Sequence, residues 1–435
     1  MPPISLSSLQ SSIDTLATDT AQIDAIRAYL RLLGPVQEAR IVPSDPAASA
    51  YFGISVSINA AGDVAIVGAD SITGPGGSYA GACYIYNSTG GLWEQTIRLD
   101  PSDSEGSAYF GNSVAINDAG DVAIVGAYYD DGTGAAANSG AAYIFTNSGG
   151  WSETAKLVPS DPETNAFSGY SVSINGAGDV AIIGAYNDDG TGAAADSGAA
   201  YIFSNSGGGW TQVAKLLPSD PQTNSAFGYS VSINAAGDVA IVGAYQDEGT
   251  GLSNSGAAYI FTDSGGWSEV AKLVPSDPES GANFGRRVSI NGAGDVAIIS
   301  AHVDDGAGTT NSGAAYIFTN SGGWSETAKL LPSDPEASAS FGQSVSINAA
   351  GDVAIISAHT DDGAGTTNSG AAYIFTNSGG WSETAKMLPS DPEANANFGN
   401  SVAINATGSM MIIGAPYRDF SGANSGVSYI FRGVV

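Results

Sequence analysis

Two acidic positions recur along this chain at near-constant spacing. Paired acids stand at Asp130/Asp131, Asp188/Asp189, Asp247/Glu248, Asp304/Asp305 and Asp361/Asp362, and a Ser-Asp step supplies Asp45, Asp103, Asp161, Asp220, Asp277, Asp334 and Asp391. Together they are 17 of the 43 acids. Converging carboxylates can hold a hard cation or meet a ligand. An Asp before Pro or Gly can also cap its own turn through the backbone. For the Ser-Asp steps the turn reading is preferred; for the paired acids, turn formation and weak cation or ligand binding both stay open.

The other reactive side chains offer less. His302 and His359 share one repeat position before such acid pairs and read as a duplicated loop residue. Cys83, the single cysteine, replaces an alanine of the repeat; it excludes an intramolecular disulfide and reads as a buried, inert thiol. Seven of the 13 basic residues fill one slot (Arg40, Arg98, Lys156, Lys215, Lys272, Lys329, Lys386), where charge guards an outer strand edge against aggregation. Arg286-Arg287 is the one basic break in a first strand, thin support for an anion site. No Ser/His/Asp set, zinc spacing or phosphate-cradling loop appears, and the chemistry is not concentrated in one unique cluster as an enzyme requires. The "NSGGW" turns resemble the Asp-box of sialidases but lack its Asp and Thr.

Charge narrows the partners. Against 43 acids stand 13 Lys and Arg, a formal charge of -30, so binding to nucleic acid or to anionic lipid surfaces is disfavoured. Solubility in a salty medium and a cation-binding role are both compatible with the acid excess. With 43% hydrophobic residues the chain is not disordered as a whole. No apolar run is long enough to span a membrane, and the N-terminus shows no basic region followed by an apolar core.

The elements that must position the acids form a repeat. Glycines at 53, 111, 169, 228, 285, 342 and 399 follow one another by 57 to 59 residues, and "SGAAYIFTNSGGWSETAK" occurs verbatim three times. Each unit has four short runs: "SVSIN" alternates, "DVAIVGA" is apolar and β-branched, "GAAYIF" ends in aromatics, and "WSETAKL" alternates large apolar with polar residues. Gly-bearing turns and a Pro-bracketed crossing separate them. Four strands in each of seven units, with no helix between, predict an all-β, seven-bladed β-propeller of four-stranded antiparallel blades. The alternative is a flat solenoid. The seventh unit stops at Val435 without its "WSETAKL" strand, whereas "VQEARIV" at 36–42 supplies such a strand at the other end of the chain. An N-terminal strand that completes the last blade closes a ring and removes an exposed edge, which favours the propeller.

The whole block "AKL.PSDP…FG.SVSIN..GDVAI.GA..DDG…SGAAYIF…GGW" resembles the bacterial-type FG-GAP repeat, related to the head of integrin α subunits. Phe398-Gly399 and Gly414-Ala415-Pro416 show both name-giving motifs literally; elsewhere the third letter drifts, as in Gly126-Ala127-Tyr128 or Ser300-Ala301-His302. The resemblance covers 36–435, taken as one domain, and implies a calcium site in the turn between the first two strands. Here that turn reads Asn59 to Asp63, "NAAGD", with two side-chain oxygen donors, so a plain hairpin is the preferred reading and Ca2+ the secondary one. The loops between second and third strands and the blade crossings share one face, which the resemblance implies is the ligand face.

Residues 1–35 do not repeat. Leu6, Leu9, Ile13, Leu16, Ile23 and Leu30 fall in heptad slots before Gly34-Pro35, predicting a helix of roughly 40 Å at about 1.5 Å per residue. It serves oligomerisation or docks on its own propeller. The expected function is a non-enzymatic, surface-exposed interaction or adhesion propeller that takes a protein or glycan on its acidic face. The alternative is a virion structural protein assembled through the helix. Either role places the protein on an extracellular surface or a virion.

Overall fold

A computed structural model describes residues 34–132, 134, 136–190, 194–306 and 308–433. The helix expected over residues 1–34, with Leu6, Leu9, Ile13, Leu16, Ile23 and Leu30, lies outside the described residues, apart from Gly34. Seven four-stranded antiparallel sheets follow one another as blades of a propeller. In six of them sequence order is spatial order, as in Ser171–Ile174, Val180–Ala185, Ala199–Asn205 and Trp210–Leu216. The seventh pairs Ser401–Ile404, Met410–Ala415 and Val427–Arg432 with the N-terminal strand Val36–Ile41, from Val36 opposite Arg432 to Ile41 opposite Ser428. The ring is therefore closed by backbone hydrogen bonds between the two ends of the propeller.

Burial explains why each run takes its place. The second strand, such as Val180–Ala185, is buried on both sides from its second residue on, because neighbouring blades cover both of its faces. The innermost run alternates buried and partly covered residues, and the outermost, Trp210–Leu216, exposes every other side chain until its terminal leucine. A bulge displaces the fourth strand from the third, in this blade between Ile202 and Phe203.

The two glycine motifs are where blades touch. Gly111 holds φ at +93°, and a Cβ on Gly126 would fall on the carbonyl oxygen of Gly169 in the next blade. A side chain at either position would push blades apart. The Phe of the motif packs edge-on against two aromatics of its own third strand, Phe110 lying 5.5 Å from Tyr143 and 5.9 Å from Phe145. The third blade departs from this: Ser168 takes the inner position, and Phe167 turns out among the tyrosines of the loop face.

Candidate functional site

The paired acids and the Ser-Asp steps do converge, and the basic slot converges with them. Lys156 contacts Asp103, on the crossing into its blade, at 2.7 Å and Asp130, on the loop between second and third strands, at 2.8 Å. The Tyr143 hydroxyl donates toward the same two carboxylates, at 2.8 and 2.6 Å. Lys215, Lys272, Lys329 and Lys386 repeat the arrangement with Asp161/Asp188, Asp220/Asp247, Asp277/Asp304 and Asp334/Asp361. Burial pulls each lysine's pKa down, and its two carboxylates outweigh that and hold it above the ordinary value. Burial, reinforced by the nearby aspartates, pushes the tyrosines far up, so they stay neutral donors.

This changes two readings made from the sequence. The Ser-Asp aspartates join blade to crossing instead of capping only their own turns, and the basic slot is an internal counter-ion ring more than an edge guard. The flanking serines are held likewise: Ser102 donates its backbone N–H to Glu153 at 2.7 Å, and Ser390 donates to Gln37 at 3.0 Å across the ring closure.

The two members of each acid pair divide. The first members, Asp130, Asp188, Asp247, Asp304 and Asp361, are buried and spent on lysine and tyrosine, so the expectation that they face a ligand is corrected. Their polar loops need a counter-ion inside, and the sequence alone does not show which acid turns in. Of the second members, Asp189, Glu248 and Asp362 are exposed and Asp131 and Asp305 half-buried. Asp131, Asp189, Asp305 and Asp362 each use one oxygen to accept a loop N–H, as Asp189 does from Asp196 at 2.9 Å.

The turn between first and second strands is a closed hairpin. Asn59 accepts from the N–H groups of Gly62, Asp63 and Val64 and donates to Asp63 at 2.9 Å. Its oxygens face the turn's own backbone, which leaves no cradle there for the six or more ligands of Ca2+. Among the described residues no cluster of three or more acids, histidines or cysteines could hold a metal ion. Cys83 is buried, and burial raises its thiol pKa well above the ordinary value.

Around the axis, on the same face, the repeat loses its symmetry. The residue after the motif glycine is Ile54, Asn112, Tyr170, Tyr229, Arg286, Gln343 and Asn400 in turn, and the residue after the second strand is Asp70, Tyr128, Tyr186, Tyr245, His302, His359 and Pro416. The aromatics form a connected arc: Tyr109 lies 5.6 Å from Tyr128, Tyr128 5.4 Å from Tyr170, and Tyr170 4.7 Å from Tyr229. Tyr51, Tyr109 and Phe167 hold φ between +53° and +57°, a left-handed backbone that bulky residues rarely adopt. The arc ends where the Arg286 and Arg287 guanidiniums each sit 5.3 Å from the centre of the Tyr229 ring. Burial pushes the Tyr229 phenol up, but Arg287, Arg286 and the hydrogen bond with Tyr170 outweigh it and hold it below its ordinary value.

His302 is buried here and His359 half-buried. Burial first, then Arg286 and Arg287, lowers His302 to about 2 and His359 to about 4, so both are neutral near pH 7. Asp70 is also buried, and burial lifts its carboxyl to about 7 against a hydrogen bond from Ser71. Sequence reasoning passed over this arc and Asp70; aligning the residue that follows each motif would have exposed the break in repetition.

The closed ring, its glycine contacts and its repeated loop face define a seven-bladed β-propeller of four-stranded antiparallel blades. The FG-GAP repeat matches seven times, over residues 35–86, 93–145, 151–203, 210–261, 267–318, 324–375 and 381–431, and the chain belongs to that family. Each match begins on the outer strand of one blade and ends in the third strand of the next, the same offset that closes the ring. Among curated proteins none matches the chain.

Proposed function

We propose that the protein is a non-enzymatic, surface-exposed interaction propeller that engages a protein or glycan partner on its loop face, as an adhesion module does. One observation carries this: the Lys–Asp bridges fix the loops and crossings as one rigid face, and Asp189, Glu248 and Asp362 still present carboxylates to solvent from it. A pre-ordered face loses little conformational entropy on binding, and its negative field selects partners with basic or cation-bridged surfaces.

The test is binding of the full chain to intact cells and to an immobilised glycan panel, beside a variant carrying Asp189→Lys, Glu248→Lys and Asp362→Lys. Binding by the natural chain that drops at least about tenfold in the variant, with the melting temperature lowered by no more than the loss of two loop hydrogen bonds explains, supports the proposal. Absence of binding by the natural chain, or equal binding by both, overturns it.

A further inference from the structure

Arg286 and Arg287 are anomalous in this chain. Every other lysine and arginine among the described residues pairs with an acid. These two, adjacent and of like charge, pair with none among the described residues, in a protein whose acids outnumber its bases 43 to 13. They line the axial cavity, whose volume of about 350 Å³ falls in the range of small-molecule sites. Among the described residues no carboxylate lines that cavity, and the formal charges on its wall are the two guanidiniums.

The pair is held in advance of any ligand. The Arg287 N–H donates to Ser300 Oγ at 3.1 Å, and its guanidinium donates to the Arg286 carbonyl at 3.2 Å. Arg286 also lies 5.6 Å from the centre of the Tyr245 ring, and Tyr170 and Tyr229 join hydroxyls at 2.8 Å. Hydrogen-bonding capacity is nonetheless left over: among the described residues, Arg286 Nε, on the cavity wall, is buried without a partner, as are His302 Nδ1 and His359 Nδ1, which do not line the cavity. Buried polar groups are ordinarily satisfied, so Arg286 Nε points to something in the cavity that completes it. The rest of the cavity wall is neutral and rich in hydroxyls and amides, with Asn112, Gln343 and Asn400 at the Arg286 position of other blades. That lining suits a ligand that carries several hydroxyls and one negative charge.

We propose that the axial cavity binds an acidic sugar, its carboxylate received by the Arg286–Arg287 pair and its hydroxyls by the surrounding amides, serines and tyrosines. Guanidinium suits this role because its planar fork matches a carboxylate bidentately. The site is separate from the acidic rim and stands whether or not the rim binds a partner.

Calorimetric titration of the full chain with glucuronate tests this, with glucose and sulfate as companions. Glucuronate binding in the millimolar range or tighter is expected, with glucose and sulfate at least about tenfold weaker. Arg286→Gln with Arg287→Gln removes glucuronate binding, whereas the rim variant carrying Asp189→Lys, Glu248→Lys and Asp362→Lys retains it. Should the Gln pair fail to fold, Arg286→Lys with Arg287→Lys keeps the charge, loses the fork and weakens binding several-fold. No heat at about 10 mM glucuronate, or glucuronate binding that both arginine variants leave intact, overturns the site. Sulfate binding as tightly as glucuronate overturns the sugar assignment and leaves an adventitious ion only.

Discussion

The rim and the axis of this propeller share one face and use charge in opposite ways. On the rim, repeated residues satisfy one another: five lysines each close on two aspartates, and a tyrosine hydroxyl shares those carboxylates in most blades. At the axis, residues that occur in only one or two blades leave charge and hydrogen-bonding groups unanswered among the described residues, as at Arg286, Arg287, His302 and His359. The comparison teaches that in a repeat protein a frequent charged residue is first a candidate for architecture, because every copy answers the same local need. A ligand that sits on the axis meets all blades at once and needs them to differ.

The blades at the ring closure support that division. Arg418 occupies the slot of the buried first acid in the seventh blade, and both Arg418 and Arg40 turn to Asp391, at 3.0 and 2.6 Å. In the first blade the slot holds Ile72, and Arg98 instead pairs with Asp45 and Asp100. The rim contact thus survives three different residue sets, as a structural joint should.

The largest expected effect breaks the rim. Replacing Lys272 with Met leaves Asp247, 1% exposed, buried without its cation, and removal of one partner from such a pair costs about 3–5 kcal/mol. A lowered urea midpoint reads this out, and adding Asp247→Asn to the same chain recovers most of the loss because no buried bare charge then remains, Asp220 being half-exposed. A Lys272→Met chain with an unchanged midpoint would end the view that the rim is architectural.

A pH-dependent effect of similar origin belongs to the axis. Asp70 has a folded-state pKa of about 7, raised by burial from the ordinary 3.8. Between those values the native state binds more protons than the unfolded chain, so stability falls as pH rises from about 4 to about 7. A tenfold change in proton affinity corresponds to about 1.4 kcal/mol, which sets an upper bound of roughly 4 kcal/mol on the penalty above pH 7. Asp70→Asn removes it. The melting temperature of that variant should match the natural chain near pH 4 and exceed it by several degrees at pH 8; a constant difference across that range would show that Asp70 is not the titrating group.

Much of this architecture was legible in the sequence because it is written seven times. The motif glycines, the turn chemistry and the misplaced strand at 36–42 each carry a backbone requirement that repetition makes visible, and together they fix the number of blades and how they close. The acids were legible as a convergent set, but their division was not. Asp188 and Asp189 are adjacent and identical in type, and only the loop's path decides that one turns to Lys215 and the other to solvent. At the axis, Arg286 and Tyr229 sit 57 residues apart in unlike local contexts, and their contact depends on the curvature of the ring, which strand patterning does not encode.

The smallest effect separates the exposed acids from one another. Asp189 accepts the Asp196 N–H within its loop, and truncation to Ala costs about 1 kcal/mol, the worth of one such hydrogen bond. The Glu248 side chain has no hydrogen-bond partner among the described residues and is exposed, so Glu248→Ala should stay within about 0.5 kcal/mol of the natural chain. If Glu248→Ala nevertheless weakens partner capture, its carboxylate acts on the partner alone, and rim charge at that position serves binding instead of folding. Equal destabilisation by both substitutions would instead give Glu248 a structural partner and move the whole acid ring into the architecture.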